Sequence, residues 1–483
     1  MAVQFFQMPS ANRVPGPYVE VDGTNALGIQ AGNPHRVLLL GLKLAGGTAV
    51  EGQIYPMYQP LDGDAPFGAN SQLSEMVRTF KRVNTVAAVF AMALNEASGG
   101  VAATGSILFA GTTTKAGPLT IRVGDKRITA SLPSNTAAAA AVTALNTAYA
   151  NVARTCMTAA ASTATLNLTA RSKGTHGNEV TVAVESMPPG LTATVTQPSG
   201  GATDPDVNVA VTALDEQKYD TIVTAFSGAA NMLILENEME RRWGPLVKQP
   251  GMIHASKAGT PGTLSTYGSS RNSQYSSVMG SGLSPTPPWT WAAQTAARDA
   301  QASDTQNPNA PRNGLTLPDC EAPPQLTAFD ALQRNLLLYD GISTYKVDQS
   351  GRVSIERLIT TYQVNTSGQD DATYLSIETL RLLALIYNEL LQIGGKYGRH
   401  LLAPDGTNAE PGTALMTPGL FRGVMIGHND SLERRALTYD AIGFETDLVV
   451  EIDPLDKNRL NANLPHRLVG GLVTLAMKIS FQL

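Results

Sequence analysis

The stretch Gly41-Leu42-Lys43-Leu44-Ala45-Gly46-Gly47-Thr48 comes nearest in this chain to a phosphate-cradling loop, with glycines and a hydroxyl following an apolar run. A loop of that kind needs a lysine immediately before the hydroxyl to meet the outer phosphates. That position is Gly47. Without the cation the segment reads as a plain strand-to-helix turn, and it also lacks the dinucleotide spacing. Six histidines, His35, His176, His254, His400, His428 and His466, are scattered with no two at helical ligand spacing. A metal would therefore require the fold to gather them. No serine sits in a Gly-x-Ser-x-Gly elbow, and Cys156 and Cys320 carry neither a catalytic signature nor a zinc pairing. Asp370-Asp371 reads as helix N-terminal charge rather than an acid–base couple. No catalytic, cofactor-binding or metal residue is expected, and the reading is not an enzyme.

Composition narrows the classes further. In 483 residues there are 35 basic and 40 acidic side chains, a net charge of −5 that suggests no nucleic-acid or membrane surface. Charged residues are 16% of the chain, against roughly 25% in ordinary soluble domains, which suits surfaces that end against neighbours. Two distant cysteines give no disulfide framework and fit a reducing cytoplasm. Met1 to Pro9 lacks a basic n-region, and no run of eighteen apolar residues occurs, so a soluble product without a signal peptide is expected.

The elements that would position any site follow from periodicity. Residues 1–30, rich in Pro, Gly and Asn with an apolar burst at Tyr18, Val19 and Val21, read as an extended arm. Arg36 to Leu42 suits a buried strand, Leu73 to Val83 has helical spacing, and Thr85 to Leu94 is a second apolar run. Strand, helix, strand implies a parallel sheet. Near Ala97 the composition turns to Thr and Ala. Leu119, Ile121 and Val123 lead through Gly124-Asp125 into Ile128, Ala130 and Leu132, a hairpin signal, and Ser134 is placed to cap an Ala-rich helix. Strand character resumes at Thr165 to Thr169, Val180 to Val184 and Leu191 to Thr196. The α/β pattern returns with Thr221 to Phe226, a helix from Asn231 to Trp243, and Gly251 to Ala255.

The expected fold is thus a multidomain α/β (α+β) chain. An interrupted α/β domain spans 31–97 and 205–326 and carries an inserted β-rich outer domain at 98–204. Within it, 256–326 is dense in Ser, Pro, Gly and Asn and shows few placeable elements. An α+β domain over 327–465 opens with a helix start at Thr327 and Asp330. A hairpin joins Tyr345 and Val347 to Val353 and Ile355, and a core helix runs from Asp371 to Ile393 and stops at Gly394-Gly395. In the final segment, 466–483, Val473, Leu475, Met477, Ile479, Phe481 and Leu483 alternate with polar or small residues. That period of two specifies a strand whose ladder must be completed by distant residues or by another chain, and the second option would make the tail an assembly device.

Several stretches, in this order, resemble the contractile tail sheath proteins of myophages, particularly the Mu-like group. They are Arg13-Val14-Pro15-Gly16-Pro17-Tyr18-Val19-Glu20-Val21-Asp22, Asn335 to Ile342, Gly351-Arg352-Val353, Arg357-Leu358-Ile359-Thr360-Thr361-Tyr362, Asp453-Pro454, Asn458-Arg459-Leu460 and Leu464-Pro465. The resemblance implies a virion protein assembled in the host cytoplasm and stacked as hexameric rings in a helical sheath. Its partners would be itself, a tail tube protein, and baseplate and tail terminator proteins. It implies no cofactor, no direct nucleic-acid contact and no membrane insertion. The sheath of a phage-derived bacteriocin or other contractile injection system is an alternative with the same chemistry. A non-contractile surface or adhesion protein is an alternative of another class, suggested by the Thr-rich strands of the insertion.

Overall fold

The computed structural model describes residues 34–303, 307–408, 410 and 412–482. The apolar run forms β1 (Arg36–Leu42), buried at every residue but its first, which fits a strand covered on both faces. β2 (Ile54–Met57) and a single turn α1 (Asp64–Phe67) precede α2 (Gln72–Val83). The Ser71 hydroxyl caps α2 by accepting the Ser74 N–H at 3.0 Å, and Lys81 and Arg82 fill its last turn. β3 (Ala88–Leu94) then pairs with β1 in parallel.

Between β3 and the next strand of that sheet the chain builds two smaller sheets. Their strands are β4 (Thr104–Gly111), β5 (Gly117–Val123), β6 (Lys126–Leu132), β7 (Met157–Ser162), β8 (Thr165–Ala170), β9 (Val182–Ser186) and β10 (Leu191–Ser199). The orders are β10-β4-β8-β7 and β6-β5-β9. β5 and β6 form the hairpin read from the sequence, with Val123 opposite Lys126. α3 (Ala138–Ala150) starts four residues beyond the expected cap, because Asn135 takes φ 63° and the Thr136 N–H is held by the Thr113 hydroxyl; Ser134 does not cap it. Entry and exit meet at one antiparallel bridge, Val101 to Ala202.

The main sheet resumes through α4 (Asn208–Leu214), β11 (Thr221–Thr224), α5 (Ala229–Trp243), β12 (Met252–Ala258), α6 (Pro261–Ser269), β13 (Ser276–Gly282), α7 (Pro288–Ser303), α8 (Ala331–Tyr339), β14 (Ile342–Val347) and β15 (Val353–Arg357). Its order is β15-β14-β13-β12-β11-β1-β3-β2, parallel except for the two edge strands. From β1 the chain steps one way to β3, and from β11 the other way to β14. Right-handed crossovers therefore set α2 on one face and α5, α6 and α8 on the other. α7 lies beside α2, with Gln294 Nε2 donating to Thr79 O at 2.9 Å.

Three expectations need correction. The stretch 256–326 holds α6, β13 and α7. β13 reads as loop because it is mostly Ser and Gly, yet all seven residues are buried. Its hydroxyls are satisfied by neighbours: Ser276 by Glu236 at 2.5 Å, Ser277 by Ser343 at 3.1 Å. Pro288 opens α7, where a missing N–H costs nothing, and Trp291 is fully buried. Second, no sheet boundary falls at 327, since β14 pairs in parallel with β13 and carries the main sheet onward. α8 is capped by Asp330 and Gln333 reciprocally, not by Thr327. Third, α9 (Ile377–Lys396) begins six residues after Asp371 and runs through Gly394-Gly395. The helix is delayed by a turn at Thr373–Tyr374 and by pairing just before it, where Thr360 N–H bonds Leu375 O and Ile359 bridges Ser376.

Beyond α9 come the two-residue strands β16 (Leu401–Leu402) and β17 (Leu415–Met416), α10 (Pro418–Arg434), α11 (Ala441–Asp447), β18 (Val449–Ile452) and β19 (Leu460–Asn463). They enclose two small cores, one of Leu382, Ile386, Leu432 and Leu437, the other of Met425, Phe444 and Leu448.

Candidate assembly surfaces

The glycine loop after β1 leads to β2, not to a helix N-terminus, so no row of free N–H groups faces a phosphate. Lys43 Nζ is spent on Ala49 O at 2.7 Å, and a Cβ on Gly47 would lie 2.6 Å from Pro66 O, so close packing explains that glycine. Burial pushes the Cys156 thiol up to about 12 and Cys320 well above the ordinary range, which keeps both protonated. Among the described residues no three His, Cys, Asp or Glu side chains are placed to hold a metal. No described helix is long and apolar enough to cross a membrane.

The densest polar cluster was not foreseen from the sequence. Asp299, near the end of α7, is fully buried. Its Oδ2 accepts from Arg381 Nε at 2.9 Å and from His254 Nε2 at 3.0 Å, and its Oδ1 from Arg312 Nε at 3.0 Å. Arg381, on α9, also donates to Thr221 Oγ1 and Asp220 O, each at 2.6 Å, and His35 Nε2 meets the same Thr221 hydroxyl at 2.8 Å. Burial opposes ionisation of Asp299, but Arg381 and Arg312 hold its carboxyl well below the usual range. Burial lowers His254 despite the Asp299 bond, and burial with Arg381 nearby lowers His35 to about 4. The charged core is therefore Asp299 with two arginines, while both histidines stay neutral at pH 7. The cluster fastens α9 to the amino ends of β1, β11 and β12. Its members lie up to 346 positions apart, from His35 to Arg381, so no local motif could have revealed it.

The residues expected from periodicity to form strand arms lie near the two ends of the chain. Tyr18, Val19, Val21 and Leu483 lie outside the described residues. Val473, Leu475, Met477, Ile479 and Phe481 are exposed by 40 to 91%, and Leu472 to Gln482 has no ladder partner among the described residues. The tail leaves the body after the Thr438–Leu468 bridge, with Asn309 Nδ2 donating to Val469 O at 3.1 Å. Expected as core, α9 is buried at Ile377, Leu380, Leu382 and Ile386 but only half-buried at Leu383 and Leu390 and exposed at Leu391.

Open strand edges are few outside the insertion. The outer edge of β15 is taken by residues 314–317, through Ile355 N to Leu315 O at 2.9 Å and Leu317 N to Val353 O at 2.9 Å. β2 is a four-residue edge interrupted by Pro56, which has no N–H to give. The β18–β19 hairpin is paired only within itself and exposes both outer edges.

Comparison with known proteins agrees with this picture. Residues 200–361 match the phage tail sheath protein central domain. Over 487 aligned residues, covering all of both chains, the sequence is 33% identical to the Mu-like prophage FluMu tail sheath protein of Haemophilus influenzae. The fold is like that of the sheath of an extracellular contractile injection system in its contracted state, with a TM-score of 0.50 at 9% identity over 98% of this chain and 99% of that one. A sheath tail protein from Desulfitobacterium hafniense gives a TM-score of 0.47 at 12% identity over 94% of this chain and 100% of the other. With a relative of this kind 33% identical over the whole of both chains, and the central-domain match beside it, the chain belongs to the phage tail sheath family, as a Mu-like contractile sheath subunit.

Proposed function

We propose that this subunit is assembled in the host cytoplasm into hexameric rings stacked helically around a tail tube protein, between baseplate and terminator proteins, and that the array shortens to drive the tube through the host envelope. The observation that carries the reading is the tail: a period-two apolar segment held in solvent, without a partner among the described residues, beside a body that leaves the outer edges of β18 and β19 unpaired. Strand addition of the tail, and of the arm around Tyr18, Val19 and Val21, to neighbours' edges would keep subunits linked while their bodies rotate and slide. Contraction would be driven by apolar area buried between subunits, on the order of 25 cal/mol per Å², so no nucleotide is needed. The sheath of a bacteriocin or injection machine would use the same surfaces, and the likeness to the injection-system sheath keeps that reading open; capsid and terminase genes beside this one would decide for a phage.

Deleting Leu472 to Leu483 tests the linkage. The truncated protein should keep its thermal unfolding within a few degrees, since the described residues it loses, Leu472 to Gln482, are all exposed, yet fail to form cylinders under the electron microscope. Truncated protein that still builds ordered, contracting cylinders would overturn the reading.

A further inference from the structure

Two apolar patches lie at opposite ends of the eight-stranded sheet, uncovered in the single chain. At the β14 end, α8 buries Leu337 against the body and turns Leu332, Leu336 and Tyr339 outward. Their spacing of four and three puts them on one face of the helix. They are 77, 54 and 75% exposed, and Leu326, in the short turn before α8, is fully exposed. At the β2 end, Tyr58, Leu61 and Val86 are 76, 59 and 73% exposed. The antiparallel register that sets Met57 opposite Val89 brings Tyr58 alongside the stretch from Val86 to Ala88. Single exposed apolar residues are ordinary, whereas grouped ones mark contact surfaces.

Polar groups around both patches are already engaged. Arg334 donates to Phe329 O at 2.7 Å and pairs with Glu356 at 2.8 Å, and Asp340 accepts the Ser265 hydroxyl at 2.5 Å. Asp62 accepts the N–H groups of Tyr58 and Gln59 at 2.7 and 2.8 Å. Covering either patch would leave these charged groups with the hydrogen bonds they already hold. Because Pro56 spoils β2 as a ladder edge, a contact there must be made by side chains.

From β14 to β2 is six strand spacings, so the patches stand roughly 29 Å apart and cannot meet within one chain. If the α8 patch met its own twofold image, the result would be a closed dimer, and growth would stop. If it meets the β2 patch of the next copy, the contact is head-to-tail and repeats without closing, which a helical sheath requires. We propose that the α8 patch of one subunit docks on the Tyr58–Leu61–Val86 patch of its neighbour, a side-chain contact separate from the strand arms. The proposal rests on the chain being a polymer-forming sheath subunit.

Leu336→Glu and Tyr58→Lys test it, each at an exposed position and each checked for wild-type thermal unfolding, with Leu332→Glu in place of the first should that variant not fold. Pelleting and electron microscopy follow assembly beside the wild-type chain. Each variant alone should pellet at least tenfold less. An equimolar mixture should recover to within twofold of wild type, because the introduced carboxylate meets the introduced ammonium at one contact and two intact patches meet at the next. Either variant assembling normally alone would overturn the contact, and so would two defective variants whose mixture stays defective. A wild-type chain that does not polymerise in these conditions would overturn the sheath reading and this contact with it.

Discussion

The insertion and the C-terminal unit sit at opposite ends of the same parallel strands and are attached by different physics. At the carboxyl ends, the insertion is tied by partly solvated ion pairs, Lys257–Glu179, Arg154–Asp64 and Arg122–Glu321, with His176 packed edge-on to Trp289. A cleft of about 740 Å³ lined by Val180, Val182, Ala258, Leu283 and Pro285 remains between the insertion and the main-sheet body. At the amino ends, α9 is fixed by the buried Asp299 cluster and by Tyr387 packed against Trp243. Ion pairs wetted by solvent beside a shared apolar core on one side, and a dry charge cluster on the other, imply that the polar contacts of the two attachments tolerate damage very differently.

Breaking the dry side should cost most. Asp299→Ala leaves Arg312 and Arg381 buried without their carboxylate, and about 3–5 kcal/mol of stability should be lost in chemical denaturation at pH 7. A loss below about 1 kcal/mol would show that water or a rearrangement replaces the carboxylate and would erase the contrast.

Acid probes the same junction more gently. His35 falls from 6.5 unfolded to about 4 folded, so its contribution is complete above pH 6.5 and is lost as pH drops toward 4; protonating it costs about 3 kcal/mol. Arg381 opposes that proton, Asp220 and Asp299 favour it, and His254 shifts the same way as His35. Asp299 stays ionised throughout this window. Unfolding curves at pH 7 and pH 5 should therefore separate, and His35→Gln should narrow the gap even if it lowers stability at pH 7.

The wet side should show the smallest effects. Arg122→Ala removes pairs to Glu185 and Glu321 at the cleft and should cost about 0.5–1 kcal/mol. Replacing residues 102–201 by a short Gly/Ser linker should leave a folded body, because the Val101–Ala202 bridge already holds the ends of the excision together. A body that aggregates after this excision would show that the insertion covers core rather than standing apart.

Legibility in the sequence followed the same divide between local and distant. β1, α2 and the β5–β6 hairpin were readable because a continuous apolar run, helical spacing and a Gly-Asp turn are set by neighbours in sequence. β13 was not, since Ser and Gly become core only when Glu236 and Ser343 supply partners from elsewhere. The expected start at Asp371 failed for a related reason: its carboxylate holds the Thr373 N–H at 2.9 Å and the Tyr362 hydroxyl at 2.7 Å, making a turn rather than a cap. Of the candidate surface, the tail's alternation was legible and the α8 and β2 patches were not. A leucine-rich helix such as α8 shows that it is apolar, but only the fold shows which leucines are left outside.

The serine and glycine strand β13 also shapes how the body answers temperature. Unfolding apolar surface raises heat capacity by about 0.45 cal/mol/K per Å², while unfolding polar surface lowers it by about 0.26. A central strand whose buried groups are hydroxyls and backbone as much as hydrocarbon contributes little to that difference. Its share of the stability curve is accordingly flat. Its hydrogen bonds are directional where hydrocarbon contacts are not, so they hold this part of the sheet to one geometry over a broad thermal range.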